Sequence, residues 1–162
     1  MTTTNSTEAT IEADPTIPAI HTTRDFNATT DQLMRAHLDP EIFVKWVGPH
    51  GTSTEVKEWD ATRGGRWRYG GVSEGQEYWF FGSFHDVGDN RIVQTFTWEG
   101  LPEAVSLETM RFEDLGDGRT RLHATSLCPS FEERDGWLKS GMEVGVNDGY
   151  AQLDRMLAEG SL

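Results

Sequence analysis

The stretch SGMEVGVNDGYAQLDRMLAEG, residues 140–160, predicts the last helix of the chain, and the rest of the fold depends on what that helix covers. Counted in steps of four, one stripe of the helix carries Gly141, Gly145, Gly149, Leu153 and Leu157. The stripe drifts by only about 40° per step, so these residues share a face. The two leucines predict packing against a sheet. Each interior glycine costs about 1 kcal/mol relative to alanine, so the glycines need a physical reason.

Two explanations fit the glycines. Glycine lets two backbones approach closely, which would place the first half of the helix in tight contact with a neighbouring element. Alternatively, the missing side chains leave a cavity between the helix and the sheet. Met142, Val146 and Tyr150 occupy the next stripe and would then line that cavity.

The preceding sequence predicts what the helix covers. Residues 17–27 alternate as a first strand, and Asn27 or Thr29 can cap a short helix. Asp39-Pro40 begins a second short helix, because proline suits a first helical turn. Alternating segments separated by glycine-rich turns then predict about six antiparallel strands up to residue 127. The predicted class is α+β: a curved antiparallel sheet of about six to seven strands wrapped on a long C-terminal helix, with two short helices after the first strand.

The domain boundary lies near the N-terminus. Residues 1–15 are rich in threonine and acidic residues, so they predict a disordered tail, and residues 16–162 predict a single domain. The tail has neither a basic start nor an apolar core, so it does not resemble a secretory signal. No apolar run reaches the ~20 residues of a membrane span. A cytoplasmic location is therefore expected.

Charge excludes two classes of partner. The 162 residues include 27 acidic and 14 basic side chains, for a net charge of -13. This charge repels nucleic-acid phosphates and anionic lipids, so neither nucleic acid nor a membrane surface is an expected partner.

Cysteine and histidine give no sign of a metal or redox site. Cys128 is the single cysteine in the sequence, and its surroundings predict a quiet, partly buried thiol. The five histidines show no metal-ligand spacing. We expect no metal and no cofactor, and no recognised catalytic set emerges.

Five stretches in order resemble a known family. They are PEIFVKWVGPHG (residues 40–51), GGRWRYG (64–70), GSFHDVGDNRIVQTFTWEG (82–100), RFEDLGDGRTRL (111–122) and GYAQLDRML (149–157). Together they are similar to the START-like, birch-pollen-allergen-like helix-grip superfamily (SRPBCC). Within it, they are similar to the family named after the C-terminal domain of the activator of the 90-kDa heat-shock-protein ATPase (AHSA-type). The resemblance covers roughly residues 20–160.

The resemblance implies a helix-grip fold that holds a small hydrophobic or aromatic molecule between the C-terminal helix and the sheet. It also implies two alternatives, a polyketide cyclase/aromatase-like enzyme and a co-chaperone-type interaction module that meets a heat-shock chaperone. Binding without catalysis is the preferred expectation. The resemblance favours the cavity explanation of the glycines.

Strand periodicity identifies the side chains that would face this ligand. Strand positions on the predicted inner face, joined by residues of the helices, make up the candidate ligand-binding set: Trp46, Trp67, Tyr69, Tyr78, Phe80, Phe84, Phe96, Trp98, Glu108, Met110, Phe112, Met142, Gly145, Val146, Gly149 and Tyr150.

Glu108 is the most informative charge, because it shares the predicted inner face with Met110 and Phe112. A carboxylate that faces an apolar cavity has a raised pKa or needs a partner. This position predicts a ligand anchor or a candidate catalytic acid or base. The alternative is that Glu108 lies solvated at the mouth of the cavity.

Trp79 and Phe81 fall on the opposite face of the predicted sheet. Both are too large and apolar to leave in water comfortably. They predict that the outer face of the sheet meets a partner, with a second copy of the chain as the simplest choice.

Overall fold

The computed structural model describes residues 8–162. In this range the chain forms eight strands and four helices: β1 Thr10–Ala13, β2 Ala19–Phe26, α1 Thr30–Leu38, α2 Pro40–Trp46, β3 Ser53–Trp59, β4 Arg66–Ser73, β5 Gln76–Gly88, β6 Arg91–Trp98, β7 Ser106–Gly116, β8 Arg119–Leu127, α3 Phe131–Lys139 and α4 Met142–Ala158. The strands form one antiparallel sheet in the order β1-β2-β8-β7-β6-β5-β4-β3. The α+β class, the two short helices and the antiparallel meander are confirmed.

Local chemistry sets the element boundaries. Thr29 caps α1, because its hydroxyl accepts from the Gln32 N–H at 3.2 Å while the Gln32 side chain accepts from the Thr29 N–H at 2.9 Å. The carboxylate of Asp39 accepts from the Glu41 N–H at 3.0 Å at the start of α2. Three hairpins turn through paired residues with positive φ: Glu74-Gly75, Asp89-Asn90 and Asp117-Gly118. These dihedrals are those of two-residue type I′ turns, whose twist suits antiparallel strands.

The sheet bends at three register shifts. They lie between Val56 and Glu58, between Phe84 and Asp86, and between Asp114 and Gly116. Irregularities of this kind increase the local twist of the strands.

Part of the predicted tail is a strand. Residues 10–13 pair with β2, from Thr10 opposite Thr23 to Ala13 opposite Ile20. The prediction of a disordered segment is wrong for these four residues, and the strand count rises to eight. Residues 1–7 of the predicted tail lie outside the described residues.

The predicted C-terminal helix is interrupted. Helix α3 ends at Lys139, and α4 begins at Met142 after Gly141, whose φ is +86°. A left-handed residue cannot continue a right-handed helix, so Gly141 terminates the first segment rather than lying inside one long helix. The predicted helix over residues 140–160 therefore begins at Met142, with Gly141 before it.

The core lies between the inner face of the sheet and the helices. Leu153 of α4 is fully buried, and Tyr150 meets Phe26 of β2 edge to face at 5.1 Å. Helix α4 thus covers the sheet, as predicted for a helix-grip fold.

Candidate functional site

The inner face of strands β4, β5 and β6 carries one aromatic cluster. Trp67 and Tyr69 stack at 5.4 Å, Tyr69 lies 5.6 Å from Phe80, and Phe80 lies 5.0 Å from Phe96. Trp137 of α3 closes one side of the cluster, 5.9 Å from Phe96. Trp67, Tyr69, Phe80 and Phe96 therefore share one face, as their periodicity predicts.

Five members of the predicted ligand set belong to the packed core: Tyr150, which is 9% exposed, and four that are buried more deeply. Trp46, Trp67, Phe84 and Phe112 retain 6%, 2%, 2% and 3% of their accessible surface. Side chains this deeply buried are already in contact with protein on nearly all sides. In this structure they support the walls of a site and do not form its surface.

Other inward-facing members of the set are only half-buried. They pack against the core while keeping accessible surface: Tyr69, Phe80, Phe96, Met110 and Val146. These side chains lie between α4 and the sheet, and each keeps part of its surface accessible. We call the space bounded by these five side chains and Tyr150 the inner crevice.

Glu108 projects into the inner crevice from β7. It is half-buried, and its cross-strand neighbours are Gln94 of β6 and Ser126 of β8. Burial raises the pKa of Glu108 to about 7. No ion pair or hydrogen bond from residues 8–162 offsets that burial. The carboxyl group is therefore desolvated and could bind a polar group of a ligand, as expected of a ligand anchor.

Two tyrosines share this environment with Glu108. Burial raises the pKa of Tyr69 on β4 and of Tyr150 on α4, and the negative charge of Glu108 raises each pKa further. The charge of Glu108 thus acts on phenols from two other elements, while the charge of Arg24 lowers the pKa of Tyr150.

Cys128 lies beside the same region and is unsuited to nucleophilic chemistry. It is 4% exposed, and hydrogen bonds link its thiol to the side chains of Ser106 and Ser126. Burial and the charges of Glu108 and Glu133 raise its pKa, despite the lowering effect of those hydrogen bonds. A protonated, buried thiol agrees with the predicted quiet cysteine.

The glycines of α4 face the segment after α2 and do not open toward the sheet. A Cβ added at Gly149 would lie 2.9 Å from the Trp46 carbonyl oxygen and 3.4 Å from the Gly48 nitrogen. A Cβ added at Gly145 would lie 3.5 Å from Cδ of Pro49, an ordinary contact. The expectation that these glycines leave a cavity against the sheet is wrong. Gly149 marks a close backbone approach, and Val146 and Tyr150 are the α4 residues that line the inner crevice.

The remaining predicted residues lie at the periphery. Trp98 is 40% exposed and its ring lies over Gly100, while Tyr78 is 39% exposed and donates to the Gln76 side chain at 3.0 Å. Met142 is half-buried at the start of α4 and is not packed against the core. The structure does not bring these three into the inner crevice.

On the outer face of the sheet, the ring of Trp79 packs against a side chain of the same molecule. The guanidinium of Arg68 lies 4.4 Å above the Trp79 ring and is held there by Glu99, with nitrogen–oxygen distances of 2.8 and 3.0 Å. Trp79 and Phe81 are both half-buried. The predicted homodimer through this face stays a prediction.

The structure has a concave surface near the β5–β6 turn, and Glu108 is not among the residues that line it. This open pocket of about 440 Å³ is lined by Arg63, Gly64, Phe84, His85, Asp86 and Arg91. Asp86 is paired with Arg63 at 2.8 Å and with Arg91 at 3.1 Å. Its charges are thus satisfied at the surface, whereas the carboxyl of Glu108 is not.

Sequence reasoning missed several side chains around the site. Gln94 and Ser126 flank Glu108, and alternation along β6 and β8 would have placed both on the inner face. Trp137 carries no such signal, because its contact with Phe96 depends on where α3 packs on the sheet.

His37 is also absent from the predicted set. Its Nδ1–H donates to the Leu33 carbonyl at 2.8 Å, and its ring meets Trp46 and Phe112 edge to face at 5.0 and 5.2 Å. Nε2 is buried with no hydrogen-bond partner in the part of the chain that the structure describes. Burial lowers the pKa of His37 to about 4, so the ring is neutral at physiological pH.

Neither a helix that could span a membrane nor a group of metal-ligating side chains is found in the described part of the chain. No helix between residues 8 and 162 has the length and apolarity to cross a bilayer. Within the same range, no three His, Cys, Asp or Glu side chains are grouped to hold a metal ion.

Solved structures share this fold at low sequence identity. Protein Ms6760 from Mycobacterium smegmatis superposes with a TM-score of 0.83 at 23% identity, covering 92% of this chain and 96% of its own. A protein from Arthrobacter aurescens gives 0.83 at 22% identity, covering 93% and 91%. DynU16, from the dynemicin biosynthetic locus, gives 0.60 at 19% identity, covering 88% of this chain and 48% of its own. No curated protein matches the sequence.

The family comparison covers most of the domain. The model of the family described as "Activator of Hsp90 ATPase homolog 1-like protein" matches residues 27–158, from the approach to α1 to the end of α4. The chain therefore belongs to the Activator of Hsp90 ATPase homolog 1-like family.

Proposed function

We propose that the protein binds a small hydrophobic or aromatic molecule in the inner crevice, between α4 and the sheet. The observation that carries this proposal is the set of apolar side chains that point inward yet keep accessible surface around the unpartnered carboxyl group of Glu108. Ligand sites of this kind combine an apolar lining with a few polar groups that fix orientation.

Residues of α4 provide a matched test. Val146 faces the crevice, whereas Val144 is 59% exposed on the same helix. We expect Val146→Trp to fill the crevice and to weaken binding of the fluorescent probe N-phenyl-1-naphthylamine by about tenfold or more. Val144→Trp should bind the probe like the wild type. Absence of saturable binding to the wild type, or equal effects of the two tryptophans, would contradict the proposal.

A second candidate function is acid–base catalysis on a bound ligand, as in polyketide cyclase-like enzymes. It is favoured by the coupling of Glu108 to Tyr69 and Tyr150, since general acid–base catalysis works best with a pKa near the working pH. DynU16, a structural neighbour, comes from a biosynthetic locus. The test is exchange of the C1 protons of 2-tetralone in D₂O, followed by NMR. Acceleration by the wild type that is lost in Glu108→Gln supports catalysis, and a rate equal to that in buffer rejects it for this substrate.

A heat-shock chaperone partner and a cytoplasmic location remain predictions. The chaperone is implied by the family description. The chaperone partner is tested by measuring the ATPase rate of the host chaperone with and without this protein. An unchanged rate would contradict the predicted interaction. Fractionation of the host cell would test the location.

A further inference from the structure

We infer that a small phosphate monoester binds in the open pocket near the β5–β6 turn, where its phosphoryl group lies against the guanidinium groups of Arg63 and Arg91. The pocket has a volume of about 440 Å³ and is lined by Arg63, Gly64, Phe84, His85, Asp86 and Arg91. The residues that bound the inner crevice do not line it, so the inference is independent of the proposed function.

Two guanidinium groups share one carboxylate in this pocket. Nη2 of Arg63 donates to Oδ1 of Asp86 at 2.8 Å, and Nη2 of Arg91 donates to Oδ2 of the same carboxylate at 3.1 Å. These two hydrogen bonds lower the pKa of Asp86, so the carboxylate stays ionised and holds both arginines close together. Among the described residues, Asp86 is the one carboxylate that lines the pocket. Each arginine thus has a partner, yet one positive charge is left without a counter-charge.

Both arginines keep donors for a ligand. A guanidinium group has five N–H donors, and the contact with Asp86 uses one nitrogen of each arginine. The side chain of Arg63 is 79% exposed and that of Arg91 is 49% exposed, so a ligand can reach both. Guanidinium groups bind phosphoryl oxygens through pairs of parallel hydrogen bonds. His85, exposed in the same lining, adds a ring N–H donor in either neutral tautomer.

A third arginine extends the positive charge onto the next strand. Arg111 of β7 is exposed and lies directly opposite Arg91 of β6 in the sheet register. Like charges at such a cross-strand pair are destabilising. Arg111 forms no ion pair with any of residues 8–162, and Glu113, whose pKa it lowers, is bonded to His123 at 2.9 Å. An anion bound beside Arg91 would reduce this repulsion.

The size of the pocket and the charge of the protein define the ligand class. A volume of about 440 Å³ lies within the range of about 300–1,000 Å³ for small-molecule sites, so an organic group fits beside the phosphoryl group. The net charge of -13 repels a nucleic acid, whose many phosphates extend beyond the pocket. A phosphate monoester instead concentrates about two negative charges on one group, which suits two guanidinium groups held at one carboxylate.

Phenyl phosphate is the probe, with benzenesulfonate (one negative charge) and phenol (no charge) for comparison. Dissociation constants are measured by isothermal titration calorimetry on the full chain at pH 7.5 and low ionic strength, because salt screens exposed charges. We expect one saturable site for phenyl phosphate, at least about tenfold tighter than for benzenesulfonate. Amide chemical shifts in NMR spectra of the wild type locate the site. Gly64, His85 and Arg91 should shift with phenyl phosphate and not with phenol.

A matched pair of substitutions tests the role of the arginines. Arg91→Gln removes charge-assisted hydrogen bonds to the ligand and should weaken binding of phenyl phosphate by at least about tenfold. Arg155→Gln makes the same change of charge on α4, where Arg155 is exposed and bonds to Gln152, and should bind like the wild type. Exposed ion pairs contribute little to stability, so both variants should unfold at the urea concentration of the wild type.

Four results would overturn the inference. They are no saturable binding of phenyl phosphate to the wild type, amide shifts that lie outside the lining of the pocket, equal losses in Arg91→Gln and Arg155→Gln, and inorganic phosphate that binds as tightly as phenyl phosphate. The last result would show that the organic group makes no contact and would leave a site for the free ion only. None of the four bears on the inner crevice, whose test uses Val146→Trp.

Discussion

Gly149 of α4 packs directly on the backbone of Trp46 in α2, with room for no side chain between them: an added Cβ would lie 2.9 Å from the Trp46 carbonyl oxygen. This contact joins the two helices above the sheet. Close backbone approach therefore explains Gly149. It does not explain Gly145, which lies one turn earlier on the same face.

The two glycines should respond oppositely to alanine. We expect Gly149→Ala to destabilise the protein by about 1–3 kcal/mol, because backbone atoms must shift to admit the methyl group. Gly145→Ala meets only Pro49 at 3.5 Å and should stabilise by up to about 1 kcal/mol through helix propensity. Urea unfolding followed by tryptophan fluorescence measures both. Equal effects of the two substitutions would contradict the assigned contact.

Glu108 should make stability depend on pH. Its pKa is about 7 in the folded protein against 4.5 in the unfolded chain, so the folded state binds the proton more tightly between these values. Stability should therefore fall as pH rises from 4.5 to about 7, by about 3 kcal/mol at most. Glu108→Gln removes this loss and should be more stable than the wild type at pH 8. Near pH 4.5 the two should converge.

His37 has the opposite dependence. Its pKa is about 4 when folded against 6.5 unfolded, so the unfolded chain binds the proton more tightly and stability falls as pH drops through this range. Glu108 and His37 therefore offset each other between pH 4.5 and 6.5. Urea midpoints of Glu108→Gln should reveal the His37 slope, falling more steeply toward pH 4.5 than those of the wild type. Parallel profiles of the two proteins would contradict the pKa of Glu108, whereas a flat profile of Glu108→Gln between pH 4.5 and 6.5 would contradict that of His37.

The ion pair between Arg24 and Asp154 should be asymmetric. Arg24 has 1% of its side chain exposed, whereas Asp154 has 31% and can be hydrated if released. We expect Asp154→Asn to destabilise by about 3 kcal/mol, because a buried guanidinium loses its carboxylate. Arg24→Met should cost less. Thermal denaturation of the two variants measures the difference, and the reverse order would show that Asp154 depends more on the pair than Arg24 does.

Pairing of two copies through the outer face of the sheet is tested by charge insertion. Phe81→Glu places a charge on that face and should convert a dimer into a monomer in sedimentation velocity. Val144→Glu, at an exposed position on α4, should leave the assembly unchanged. If the wild-type protein sediments as a monomer at all concentrations, the predicted homodimer is wrong.

Much of the candidate site follows from alternation along the strands. The positions of Tyr69, Phe80, Phe96 and Glu108 on one face need only the two-residue period and the turn residues between the strands. Which of them reach solvent cannot be read from that period, because exposure depends on how far α3 and α4 stand from the sheet. Trp46, Trp67, Phe84 and Phe112 share the aromatic signal of the others, yet they are sealed in the core.

The sequence by itself determined the α+β order, the capping of α1 and α2 and the type I′ hairpins, because these depend on dihedral preferences and hydrogen bonds between near neighbours in the chain. The tertiary structure alone decided that residues 10–13 form an edge strand, that Gly149 rather than Gly145 is tightly packed, and that Glu108 lies desolvated without a partner among residues 8–162. The physical reason is contact between distant segments. Gly145 and Gly149 are equivalent in a helical pattern, and only the path of the chain after Trp46 makes them different.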